Sequence, residues 1–166
     1  MTVREEKTPI TDNIKSALLK IDFNDTFATT NHKDSLQQIA HLIFGQTPKW
    51  VESLMNLRNY FAKFLGLITD TPADFNEDFK IGGYIGFFKI YTITPSELIL
   101  GADDKHLNFR VSILDTKETA FNIKTTTLVQ YNNKMGKIYM IFVKPFHRIV
   151  VKRMVRQAFN ESPQKG

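Results

Sequence analysis

The chain has 166 residues, 42% of them hydrophobic and 23% charged, with 14 Phe and no Cys. A chain of this length suits one domain, residues 1–166, burying roughly 70% of the surface its unfolded form exposes. Without Cys there are no disulfides, no thiolate metal sites and no cysteine nucleophile.

The formal net charge of +5 is unevenly spread. Residues 134–166 carry eight Lys or Arg against Glu161 alone, whereas the rest of the chain carries 14 basic and 16 acidic side chains. The first ten residues are polar and charged, so no secretory leader is expected. The longest apolar run, residues 138–143, is far short of the roughly 20 residues of a membrane span. A cytoplasmic protein is expected, with residues 1–10 and 161–166 mobile.

Residues 11–20 read as a short helix capped by Asp12, with Ile14, Leu18 and Leu19 on one face. At Ile21 the period changes to two, and Ile21, Phe23, Asp25, Phe27 and Thr29 share a face of a strand over residues 21–29. Asp34 or Ser35 caps a helix that ends at Phe44 before Gly45. Pro48 opens a second helix to about residue 65, with Trp50, Leu54, Leu57, Phe61, Phe64 and Leu65 as its stripe. Residues 66–82 form a polar linker long enough to be a lid.

Strands are predicted over residues 84–93, 97–102, 106–114 and 119–131, joined by short turns as an antiparallel meander. After Asn132 and Asn133 comes a helix of about 26 residues. It places Met135, Ile138, Tyr139, Phe142, Phe146, Ile149, Val150 and Met154 at helical spacing, as a wall covering the sheet. Pro145 in its interior predicts a bend over residues 141–145.

Asp103, Asp104, His106 and Arg110 are the densest set of chemically capable side chains. Alternation puts Asp104, His106, Asn108, Arg110 and Ser112 on one strand face and Leu107, Phe109, Val111 and Ile113 on the other. The plain expectation is a solvated polar face. If that face meets a cavity instead, His106 acts as acid or base with Asp104 orienting it, and Arg110 binds a carboxylate or phosphate. Asp25 interrupts an apolar strand face and needs a partner. Arg58 and Arg110 are the candidate counterions, either in an ion pair that fixes register or at the polar end of a ligand cavity. His147 and Arg148 follow Pro145, where either side chain can turn inward.

The four histidines fall in different elements with no i, i+4 pairing, so no metal is expected, and no phosphate loop or nucleophile elbow occurs. No cofactor is implied. The basic helix reads as a solvated face, or as a face for an anionic membrane if Val151, Val155 and Phe159 are exposed. Nucleic acid is not expected, for want of a recognised motif or a basic face carrying stacking aromatics. Nothing in the sequence sets an oligomeric state.

Four stretches carry a resemblance. They are Ile21-Asp22-Phe23-Asn24-Asp25-Thr26-Phe27; Pro48-Lys49-Trp50 with Leu57-Arg58-Asn59; Gly101-Ala102-Asp103-Asp104-Lys105-His106-Leu107-Asn108-Phe109-Arg110; and Lys144-Pro145-Phe146-His147-Arg148. Over residues 14–158 the chain resembles the bacterial domain-of-unknown-function family numbered 2867, which has no assigned activity.

The element order is also similar to the helix-grip fold of Bet v 1 and START-like proteins. That likeness implies an α+β domain whose curved antiparallel sheet grips the C-terminal helix, with an apolar ligand between them and, in some members, polyketide cyclisation or dehydration. Five strands are counted where that fold has seven or so, which requires a strand within residues 66–82 or a split of residues 84–93. The implied function is binding of a small apolar or amphipathic molecule by Asp25, Arg58, His106, Arg110, Tyr139, Phe142, Phe146 and His147. The alternatives are a cyclase-like or hydrolytic enzyme using His106 with Asp104, and a non-catalytic module whose basic helix docks on acidic lipid or a partner.

Overall fold

Runs of β-branched and aromatic residues build a single sheet. In a computed structural model, which describes residues 1–45, 52, 59, 63 and 71–161, the strands are β1 Val3–Glu6, β2 Phe23–Thr29, β3 Tyr84–Ile85, β4 Phe88–Ile93, β5 Glu97–Asp103, β6 Leu107–Asp115 and β7 Ile123–Tyr131. Among the described residues they form one sheet in the order β1-β2-β7-β6-β5-β4-β3, with every neighbouring pair antiparallel. Of the predicted helix over residues 48–65 only residues 52, 59 and 63 are described, each as helical; the rest of it, Arg58 included, and the last five residues lie outside the described residues.

Two strands account for the difference from the five expected. Residues 84–93 are split at Gly86, which has φ +60 and turns β3 into β4. The other addition is β1, within the segment expected to be mobile; it pairs with β2 from Val3 opposite Thr29 to Glu6 opposite Thr26. Lys124 on β7 holds this edge strand through an ion pair to Glu6 of 2.7 Å. Strand β7 starts at Ile123 rather than at residue 119, because the preceding loop turns through positive φ at Lys117 and Phe121. Residues 71–83 are tied to β3 and β4 by Asp74, which accepts the Tyr84 hydroxyl at 2.9 Å and Lys89 Nζ at 2.6 Å.

The sheet separates two environments. On the inner face Ile90, Leu98, Leu100, Val111, Ile113 and Ile123 pack against Ile39, Ala40, Ile43 and Phe44. Those four come from α2, Leu36–Ala40, and the π-helical turn His41–Gly45 that continues it. Ser35 and Gln38 make a reciprocal capping box at the start of α2. Each fully buried Leu or Ile of this cluster contributes about 1.5–3 kcal/mol by leaving water. The outer face is covered by α1, Asp12–Ser16, whose N-cap is Thr11 rather than Asp12, and Ile14 and Leu18 rest on Leu128.

The C-terminal helix, α3, runs from Lys134 to Gln157. Asn133 caps it by accepting the Gly136 N–H, and Gly136 sits so close to the β5–β6 turn that a Cβ would lie 2.0 Å from the His106 carbonyl oxygen. The helix continues through Pro145 without breaking. It rests on the sheet at two apolar anchors. Tyr139 and Met140 pack on Val129 with Phe23 and Leu107, and Val155 packs on Val3 and Phe27. At its end, the buried Asn31 side chain donates to the Ala158 carbonyl at 2.7 Å and to Asp34 at 2.8 Å. The architecture is α+β, a curved seven-stranded antiparallel sheet with a long C-terminal helix across its inner face, consistent with a helix-grip arrangement.

One expectation about α3 changes. Its core face is Gly136, Tyr139, Met140 and Val155, while Ile138, Phe142, Phe146 and Ile149, placed in the wall by their spacing, are exposed. The helix is apolar on two sides, so periodicity alone does not say which side meets the sheet.

Candidate functional site

Between its two anchors α3 passes over β2 and β7, where the inner face turns polar. Strand alternation places Asp25 there, opposite Thr127, with Thr125 opposite Phe27. Asp25 and Thr125 are therefore diagonal neighbours on one face, about 7 Å apart. Asp25 is only 8% exposed and Thr125 is fully buried. From α3 comes His147, whose Nε2 lies 3.3 Å from both Asp25 carboxylate oxygens.

Nε2 is equally far from the two oxygens, but only its contact with Oδ1 has the geometry of a hydrogen bond. Oδ1 takes the hydrogen bond, and among the described residues Oδ2 of Asp25 and Oγ1 of Thr125 are buried without a partner. A buried polar atom left unpaired costs about 1–3 kcal/mol. The imidazole is held in place by Phe23, which meets it edge-to-face at 5.8 Å and 82°, and Lys144 stands 4.7 Å over the Phe23 ring. Asp25 and His147 are thus brought together across 122 positions of chain.

Arg110 is on the other side of the sheet. It is 7% exposed and pairs with Asp103 at 2.7 Å and 3.3 Å, donates to the Phe109 carbonyl at 2.8 Å and stacks on Tyr91 at 3.8 Å. Two local features make this nest. A register shift between Ile90 and Thr92 leaves Tyr91 as the extra residue of a bulge, and Gly101 has no side chain where a Cβ would meet Arg110 Cδ at 2.7 Å. Ser112 on the same face is fully buried and donates to Glu97 at 2.6 Å, so the outer face is not the solvated surface expected for it.

His106 lies at the foot of α3. Its Nδ1 is 3.0 Å from Asn133 Oδ1, an acceptor that also receives the Gly136 N–H, so Nδ1 is the donor, and Nε2 is buried without a partner among the described residues. The Asp104 carboxylate accepts the His106 backbone N–H at 3.2 Å. Tyr139 is part of the first apolar anchor, whereas Phe142 and Phe146 are 70% and 52% exposed on the far side of α3.

The buried residue that spacing did not single out is Thr125. Its strand reads Ile123, Thr125, Thr127, Val129 along the inner face, and two threonines where valine has the same shape were the available sign. An open cleft of about 410 Å³ beside α2 is lined by Asp34, Gln38, His41, Leu42 and Gly45, none of them a member of this group. Among the described residues no His, Cys, Asp or Glu cluster has the makings of a metal site, and no helix is long and apolar enough to cross a membrane. A family model described as "Protein of unknown function (DUF2867)" matches residues 17–154. No curated protein and no solved structure matches the chain.

Proposed function

The chain belongs to that family of unknown function, and we propose that it holds a small amphipathic molecule between the inner face of the sheet and α3, with the polar end of the molecule at Asp25. The observation that carries this reading is the pair of unpartnered buried oxygens, Asp25 Oδ2 and Thr125 Oγ1, on a face otherwise made of core residues. An ionised carboxylate only accepts, whereas a threonine hydroxyl both donates and accepts. A ligand hydroxyl fits both, giving its proton to Asp25 Oδ2 and accepting from Thr125. His147 holds the carboxylate by its other oxygen. The apolar part of the ligand lies against the inner-face side chains around the site, among them Phe23 and Val129.

An enzyme working through His106 and Asp104 is the weaker reading: His106 Nε2 is also buried without a partner among the described residues, but the imidazole is held by Asn133, the cap of α3, and the Asp104 carboxylate meets the His106 backbone N–H rather than its ring. Native mass spectrometry of gently purified protein tests the carrier reading. The wild-type chain is expected to carry a small-molecule mass that organic extraction removes, and Asp25→Asn and Thr125→Val should each lower the affinity for it about tenfold, the equivalent of one hydrogen bond of about 1.4 kcal/mol, read as a smaller bound fraction. A wild-type chain that never carries such a mass, or variants that carry it equally, would sink the proposal.

A further inference from the structure

Helix α3 has an unusual cross-section. Its sequence contains seven Lys or Arg and no Asp or Glu, and its sheet-facing side is Gly136, Tyr139, Met140 and Val155. On the opposite side stand Ile138, Ile141, Phe142, Phe146 and Ile149, each between 43% and 70% exposed. Ile138, Phe142, Phe146 and Ile149 follow one another at three- and four-residue steps, with Ile141 three residues after Ile138, forming one stripe of roughly 16 Å along the helix. Single exposed apolar residues are ordinary on a protein surface; a contiguous stripe with two phenylalanines marks an interaction site.

The charges decide what kind of partner fits. Lys137, Lys144 and Arg148 follow one edge of the stripe, and Lys134, Lys152, Arg153 and Arg156 stand at its two ends. Arg148 is paired with Glu5 of β1 and Arg156 donates to Thr2, so the neighbouring strand spends one acidic group here. An apolar stripe bordered by cations and carrying no acid of its own is the pattern of a helix lying in the plane of an anionic bilayer surface, rings among the acyl chains and ammonium groups among the phosphates.

We propose that α3 docks this protein on an anionic membrane surface through Ile138, Ile141, Phe142, Phe146 and Ile149, with the flanking Lys and Arg side chains on the lipid headgroups. The surface lies on the other side of the helix from Asp25 and His147, so docking is independent of what the inner face binds. It presents α3, the element that covers the proposed ligand, to the lipid phase.

Flotation with vesicles of phosphatidylcholine alone, and of phosphatidylcholine and phosphatidylserine in equal parts, tests this on the full chain. The mixed vesicles should carry the protein at least tenfold better than the neutral ones, and molar salt should release it. The double substitution F142E/F146E should abolish flotation while leaving the circular dichroism and unfolding midpoint unchanged, because both rings are exposed. A second variant, K144E/K152E, should lower binding to the mixed vesicles without altering the apolar stripe. Equal flotation with both vesicle types, or none, overturns the proposal. So does a concentration-dependent dimer that F142E/F146E dissolves, which assigns the face to a second copy, and so does a marked fall in the unfolding midpoint of that variant, which assigns it to another segment of the same chain.

Discussion

The two faces of the sheet bury polar groups in different ways. On the outer face Glu97 is buried yet receives Ser112 Oγ at 2.6 Å, Asn13 Nδ2 at 2.9 Å and Thr11 Oγ1 at 3.0 Å, while Thr26 and Thr126 bond each other at 2.9 Å. Arg110 is just as fully engaged by Asp103, the Phe109 carbonyl and Tyr91. On the inner face Asp25 has His147 Nε2 at 3.3 Å from both oxygens but hydrogen-bonded to one, and Thr125 Oγ1 has no hydrogen-bond partner among the described residues. Burial of a charged side chain is therefore a weak sign of function in this protein. The incomplete pairing is the informative difference, since buried polar groups are nearly always hydrogen-bonded and an exception calls for an explanation.

If outer-face polarity serves the fold, removing it should be costly. The largest loss is expected from Glu97→Ala, which strands three donors and detaches α1; urea unfolding should show a fall of about 3 kcal/mol. Arg110→Met should cost less, about 2 kcal/mol, because Asp103 is half-exposed and regains water while only the stacking and the carbonyl bond are lost. An unfolding curve of either variant that overlays the wild type would dissolve the contrast between the faces.

A smaller effect should appear at the edge strand. Burial pushes the Glu6 carboxyl up, but hydrogen bonds from Lys124 and Arg4 outweigh it and hold the group below its ordinary value of 4.5. Lys124 is shifted upward in turn: burial alone would lower it, and the bonds to Glu6 and Glu118 more than reverse that. A carboxyl lowered on folding gives stability that is present in full above pH 4.5 and is lost as the pH falls through the folded value beneath it. Urea midpoints of wild type and Glu6→Gln should thus differ at neutral pH and converge in acid. A difference that persists to the lowest pH at which the protein folds would refute this account of β1.

What could be read from the sequence divides along the same lines. Strand β6 and helix α3 were legible because alternation and helical spacing are strong there, β5 because a run of Leu and Ile lies between turns, and α2 because Asp34 or Ser35 can cap it and Gly45 can stop it. Strand β1 was not, since Val-Arg-Glu-Glu offers one apolar residue and an edge strand is held mainly by its backbone and by ion pairs. Asp25 stood out as a polar break in an apolar face, and His147 as a residue near a proline, but no spacing rule joins positions 122 apart. The placement of Arg110 away from Asp25 followed from sheet parity, once Asp25 opposite Thr127 and Arg110 opposite Leu128 fixed the register.

The most direct test of the central claim is to measure Thr125→Val in parallel for unfolding free energy and for bound mass. Valine keeps the shape and removes an oxygen that has no described partner. An account in which that oxygen serves a ligand predicts stability equal to the wild type within about 0.5 kcal/mol, or higher, together with loss of the co-purified molecule. A loss of more than about 1 kcal/mol with the bound mass unchanged would show that Thr125 serves the fold like its outer-face counterparts, and would contradict the account.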